Sequence, residues 1–132
     1  MKHKHLRRPK RKTWKQKFAD SFSGFGEAVC GQSSFYVHLP MAAAVIIAAL
    51  LLGNFDTVRW SILFLCIAAV ITAEMFNTSI ELLARAAATS YNPHIRRALN
   101  VASAAVLVMS AGAAAVGIIL FAEAVWKVFS GN

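Results

Sequence analysis

One run inside the apolar part of the chain carries residue types able to do chemistry: Glu74-Met75-Phe76-Asn77-Thr78-Ser79-Ile80-Glu81. At about 100° per residue on a helix, positions 74, 77, 78 and 81 share one face. That face holds two carboxylates, an amide and a hydroxyl. Oxygen donors of this kind suit a hard cation such as Mg²⁺ at an aqueous boundary. A carboxylate held deeper suits proton abstraction from a lipid hydroxyl. Phosphoryl transfer to a lipid headgroup needs that order, with nucleotide at the water and acceptor in the leaflet. A carboxyl within hydrocarbon costs on the order of 3 kcal/mol on insertion scales, which makes Glu74 a functional candidate by default. The competing reading is structural, with Glu74 hydrogen-bonded to a neighbouring helix as packing glue.

These residues need a membrane and helices to position them. Of 132 residues, 58% are hydrophobic and 15% charged, and the mean hydropathy is +0.54. A water-soluble domain this short has too much surface for its volume to hide so much apolar area. Three apolar runs, Phe35–Leu52, Trp60–Ala84 and Val101–Phe121, approach or exceed the roughly 20 residues that span a bilayer. His38 and Pro40 interrupt the first run near its start. The connections Gly53–Arg59 and Arg85–Asn100 contain the turn formers Gly53-Asn54 and Asn92-Pro93. The expected fold is an all-α membrane protein with an amphipathic surface helix and three transmembrane helices. The boundaries are about 18–34 for the surface helix and about 35–52, 60–84 and 101–121 for the spans. Residues 18–132 form a single membrane domain, and residues 1–17 form a basic arm too charged to fold alone.

Charge sets the expected orientation. Nine of the fourteen Lys and Arg lie between Lys2 and Lys17, and the second connection adds Arg85, Arg96 and Arg97. The first connection has Arg59 against Asp56, and the tail has Lys127 against Glu123. The arm and second connection therefore face the cytoplasm. Trp60 and Trp126 fall at the opposite interface, where an aromatic belt is expected. Counting from Trp60 at about 1.5 Å per residue puts Glu74 roughly 21 Å into a core about 30 Å thick. Glu81, roughly 31 Å along, reaches the cytoplasmic boundary.

Trp14, Phe18, Phe22, Phe25 and Val29 recur at helical intervals, although Gly24, Gly26 and Gly31 weaken that helix. The arm is expected to bind anionic lipid headgroups; nucleic acid is the less favoured partner because the chain is membrane-tethered. Cys30 and Cys66 should sit at different depths as free thiols. His38 and His94 are placed at interfaces without metal, since neither has a ligand partner at helical spacing. The third run is rich in Ala and Gly, which predicts close helix packing or oligomerisation, with Asn100, Ser103 and Ser110 as polar glue. The sequence contains no P-loop, no kinase glycine loop, no His/Cys metal motif and no G-x-S-x-G elbow.

The stripe resembles the E-x-x-N-[ST]-[AS]-I-E signature of the prokaryotic diacylglycerol kinase and undecaprenol kinase family. The likeness continues through Ser90-Tyr91-Asn92-Pro93 into Ala104-Ala105-Val106-Leu107. Upstream, Phe35-Tyr36-Val37-His38-Leu39 is similar to the family's N-F-R-I-H-L stretch. The resemblance covers about residues 15–122. It implies a homotrimeric, three-span enzyme of the bacterial inner membrane that phosphorylates a lipid alcohol with ATP and Mg²⁺. Glu74 then matches the catalytic base, Glu81 the carboxylate on the metal, and Asn77 the polar residue between them.

Four positions depart from the family pattern. Gln32 replaces an acidic ligand on the surface helix, Arg85 replaces an Asp, and Leu99-Asn100 replace a Lys-Asp pair. Gln32 and Asn100 still offer carbonyl oxygens to the cofactor-binding region but bring no charge. Arg85, at i+4 from Glu81, either neutralises that carboxylate or joins Arg96 and Arg97 in holding phosphates. Three readings stand: a lipid kinase acting on diacylglycerol or undecaprenol, a catalytically degenerate lipid-binding or scaffold relative, and a small proton or ion pathway around Glu74.

Overall fold

A computed structural model describes residues 12–87 and 90–130. The arm up to Arg11 lies outside the described residues. Four helices follow in order: α1 (Trp14–Gly31), α2 (Phe35–Leu52), α3 (Thr57–Ala87) and α4 (Pro93–Ser130). The last three are long and apolar enough to cross a membrane.

Side-chain caps set the starts of α1, α3 and α4. Thr13 and Gln16 form a reciprocal capping box: Thr13 Oγ1 accepts from the Gln16 N–H, and Gln16 Oε1 accepts from the Thr13 N–H. The surface helix therefore begins at Trp14, inside the expected arm rather than at residue 18, and stops at Gly31 rather than 34. Asp56 Oδ1 accepts from the Arg59 N–H at 2.8 Å, so α3 begins at Thr57. Asn92 Oδ1 accepts from the His94 and Ile95 N–H groups, with Pro93 as the first helical residue. Asn92-Pro93 is thus a helix start, and most of the expected 85–100 connection, including Leu99 and Asn100, is helical. α2 keeps its expected bounds and ends on Gly53 at φ +66°, the left-handed conformation that suits glycine. Pro40, within α2, offers no N–H to the Tyr36 carbonyl.

α3 and α4 pack along their length, and α2 touches each of them only locally. Small residues on α4, Ala102 and Ala124, are buried at the seam with Leu63 and Thr78 of α3. At the end reached by the 53–56 turn, the buried Arg59 donates to Glu123 Oε2 at 3.0 Å and to the Asn54 carbonyl at 3.3 Å. Asn54 Nδ2 donates to the Ala124 carbonyl. Phe55 packs against Trp60 and Phe121, and Trp60 stacks on Phe64 with centroids 5.5 Å apart. Trp126 is exposed at the same end.

Only 6–17% of each span's most apolar window is buried within the chain. An apolar exterior of that extent is incompatible with water and requires lipid or neighbouring helices around it. On α1, Trp14, Phe18 and Phe22 face outward, and Ala28 is the buried residue. Lys17 lies over the Trp14 ring at 4.6 Å, and Lys12 pairs with Asp20.

The close approach at Ala124, fully buried and hydrogen-bonded through its carbonyl, leaves no room for a larger side chain. Ala124→Leu should destabilise the protein by about 1–3 kcal/mol. A lower thermal midpoint in detergent micelles is the expected result.

Candidate active site

The stripe forms one face of α3 as its spacing requires. Glu74, Asn77 and Thr78 are buried and Glu81 is half-buried. Tertiary packing separates it into two groups roughly 10 Å apart along the helix axis, since the carboxylates are seven positions apart.

One group centres on Glu81. Asn77 Nδ2 donates to Glu81 Oε1 at 2.9 Å. Gln32 Nε2, from the turn after α1, donates to Glu81 Oε2 at 3.1 Å. Arg85 donates to the same oxygen at 3.1 Å, its side chain largely exposed. Ser103 of α4 lies 3.5 Å from Asn77 Oδ1. α1, α3 and α4 therefore all contribute around one carboxylate, and Gln32 is placed there because the chain breaks helix between Gly31 and Phe35.

The deeper group centres on Glu74. His38 of α2 brings Nε2 to 2.8 Å from Glu74 Oε1. An imidazole N–H is a donor of the kind that an acceptor-only carboxylate can take up at this distance. Glu74 Oε2 is buried and has no hydrogen-bond partner among the described residues. His38 also lines an apolar pocket of about 420 Å³ between α2, α3 and α4, together with Met41, Ile67, Val70 and Ser110. Ser110 Oγ is likewise buried without a partner among the described residues.

The structure thus joins Gln32, Asn77, Glu81 and Arg85, and sets Glu74 apart from them, two turns earlier on α3. Asn100 stays outside: it is exposed and makes no hydrogen bond to the cluster among the described residues. Ser103, one turn further along α4, makes the contact to Asn77. Arg96 and Arg97 are exposed on the first turns of α4. His38, expected at an interface without metal, lies 2.8 Å from Glu74 of α3, a pairing not expected from the sequence. Spacing within one helix cannot reveal that pair. The available signal was its type: an ionisable residue inside a span is ordinarily paired. Cys30 and Cys66 are free. Among the described residues, no three His, Cys, Asp or Glu converge as a metal cluster.

A family model, prokaryotic diacylglycerol kinase, matches residues 19–121. The chain belongs to that family. The match spans most of α1, all of α2 and α3, and α4 to Phe121, so it contains both carboxylate groups. A curated relative, undecaprenol kinase of Bacillus subtilis (strain 168), is 27% identical over 104 residues, covering 79% of this chain and 84% of that protein. This is a membrane protein of a lipid kinase family.

The contacts around Glu81 differ in what they contribute to stability. The Arg85–Glu81 pair is exposed and i,i+4, so Arg85→Ala should change stability by no more than about 0.5 kcal/mol. Asn77 is buried and bonded to Glu81. Asn77→Leu strips that partner and should cost about 1–3 kcal/mol. Thermal unfolding of the two variants in the same micelles checks the contrast.

Proposed function

We propose that the protein is an ATP-dependent kinase of a membrane lipid alcohol, diacylglycerol or undecaprenol, working at the cytoplasmic face of the bacterial inner membrane. The observation that carries this reading is the environment of Glu74. One of its oxygens is held by His38, the other is bare, and an apolar pocket opens beside the pair. The pocket suits the hydrocarbon chain of a lipid alcohol arriving from the surrounding leaflet. Its hydroxyl would then meet Glu74 Oε2. That oxygen takes the hydroxyl proton as the lipid oxygen bonds to the γ-phosphorus of ATP, and the bond from that phosphorus to the β–γ bridging oxygen breaks to release ADP.

The nucleotide belongs at the Glu81 end, where Arg85 lies and the basic residues Arg85, Arg96 and Arg97 of the second connection lead one to expect cytoplasm. The donors there fit Mg²⁺, which typically takes one or two carboxylates together with substrate phosphates. Glu81 supplies the carboxylate, and Gln32, which uses its amide nitrogen on Glu81, retains an amide oxygen. When bound, the metal neutralises phosphate charge as it develops. Arg85 is exposed, so turning from Glu81 to a phosphate costs little. The outward aromatic stripe of α1, with Lys12, Lys15 and Lys17, supports docking on anionic headgroups. The small-residue face along Ala69, Ala104, Ala105 and Gly112 supports assembly as a homotrimer.

One observation favours the second reading, a non-catalytic lipid-binding or scaffold relative. Glu81 already accepts three hydrogen bonds, one of them from a cation. Full-length protein in mixed micelles with labelled ATP, Mg²⁺ and either lipid separates the two. The kinase reading expects label on one of them, and at least a roughly 100-fold lower kcat in Glu74→Gln. Glu81→Gln should raise KM for Mg-ATP. An intact assembly that labels neither lipid establishes the scaffold reading instead.

A further inference from the structure

The geometry points to His38 as the positioning residue of Glu74, the side chain that fixes which carboxylate oxygen meets the acceptor lipid. This deepens the kinase reading and rests on it. His38 touches both things that must be brought together: its Nε2 lies 2.8 Å from Glu74 Oε1, and its ring lines the apolar pocket. Glu74 has no other hydrogen-bond partner among the described residues, and its Oε2 is bare and buried. With both oxygens free, a carboxylate on a flexible side chain would turn about its last bond and present either one. Holding Oε1 leaves Oε2 as the oxygen available to a hydroxyl.

Placement in the fold makes the assignment specific. His38 lies in the first turn of α2, and α2 otherwise meets α3 only locally. The ring is partly accessible, whereas the carboxylate is 4% exposed. The acceptor therefore passes His38 on its way to Glu74. Ser110 is the pocket's other polar lining group with a buried, unpartnered atom. The hydroxyl end of the lipid accordingly has two polar neighbours in an otherwise apolar wall. The proton is assigned to Glu74 rather than His38: the His38 Nε2 already faces Oε1 at 2.8 Å, and the bare oxygen belongs to Glu74.

Two measurements on the full chain in micelles test this. In the first, ¹⁵N-histidine NMR should show a His38 Nε2–H resonance that moves in Glu74→Gln, while that of the exposed His94 stays. A His38 resonance that does not move overturns the proposal, whatever the kinetics. The second compares two substitutions. His38→Phe keeps a ring but removes the donor, and kcat should fall about 10- to 100-fold, as loss of orientation at a reacting group does, with KM for Mg-ATP within about twofold. His38→Gln restores an amide N–H near the position of Nε2 and should recover most of kcat. Wild-type turnover in His38→Phe, or equal losses in both variants with KM raised, overturns the positioning role. Wild-type protein that labels no lipid defeats the kinase reading instead, an outcome the NMR result keeps separate from a failure of the His38 contact.

Discussion

A carboxylate inside a bilayer has no water to satisfy it, so a neighbouring helix must supply its partner. In this chain that requirement falls on Glu74, and His38 meets it from α2. α3 and α4 have an extended apolar seam between them, whereas α2 meets the pair through few contacts and one charge-capable side-chain pair, His38 and Glu74 at 2.8 Å. The same contact therefore does two things. It ties the first span to the others, and it leaves one oxygen of the carboxylate uncommitted at the edge of a pocket.

The second carboxylate lives under a different constraint. Glu81 lies at the polar end of α3, half-buried, and three side chains converge on it from α1's exit turn and from its own helix. Its partners are amides and an exposed guanidinium rather than a partly accessible imidazole. The two groups sit on one face of one helix, yet depth gives them opposite surroundings: a single donor beside an apolar pocket for Glu74, and a hydrogen-bonded cluster near water for Glu81. A lipid and a nucleotide would need that difference. The far end of the bundle is simpler, with Arg59, Glu123 and Asn54 locking the 53–56 turn against α4.

Much of the fold was legible in the residues, but not its helix ends. Hydropathy located α2 from Phe35 to Leu52, because lipid imposes both the composition and the length of a span. It placed α3 and α4 correctly but too short, since their ends are polar and set by caps. Asp56 and Asn92 carry those caps, and Asn92-Pro93 reads equally well as a turn or a helix start until the backbone decides. The surface helix shows the same effect: Lys15 and Lys17 look like part of a charged arm, yet the Thr13–Gln16 box starts the helix before them.

The sequence by itself determined that three segments cross lipid, that Glu74, Asn77 and Glu81 share a face, and that the stripe resembles a lipid kinase signature. These follow from periodicity, length and composition, all of which act along the chain. Only the tertiary structure decided which side chain meets which carboxylate. It drew His38 to Glu74 and Gln32 to Glu81, chose Ser103 over Asn100 as the α4 contact, and left Glu74 Oε2 bare. The physical reason is that helical spacing sets angles within one helix, whereas a hydrogen bond between helices depends on their rotation and vertical offset. Those are set by how the small residues of α4 and the few contacts of α2 let the three spans pack.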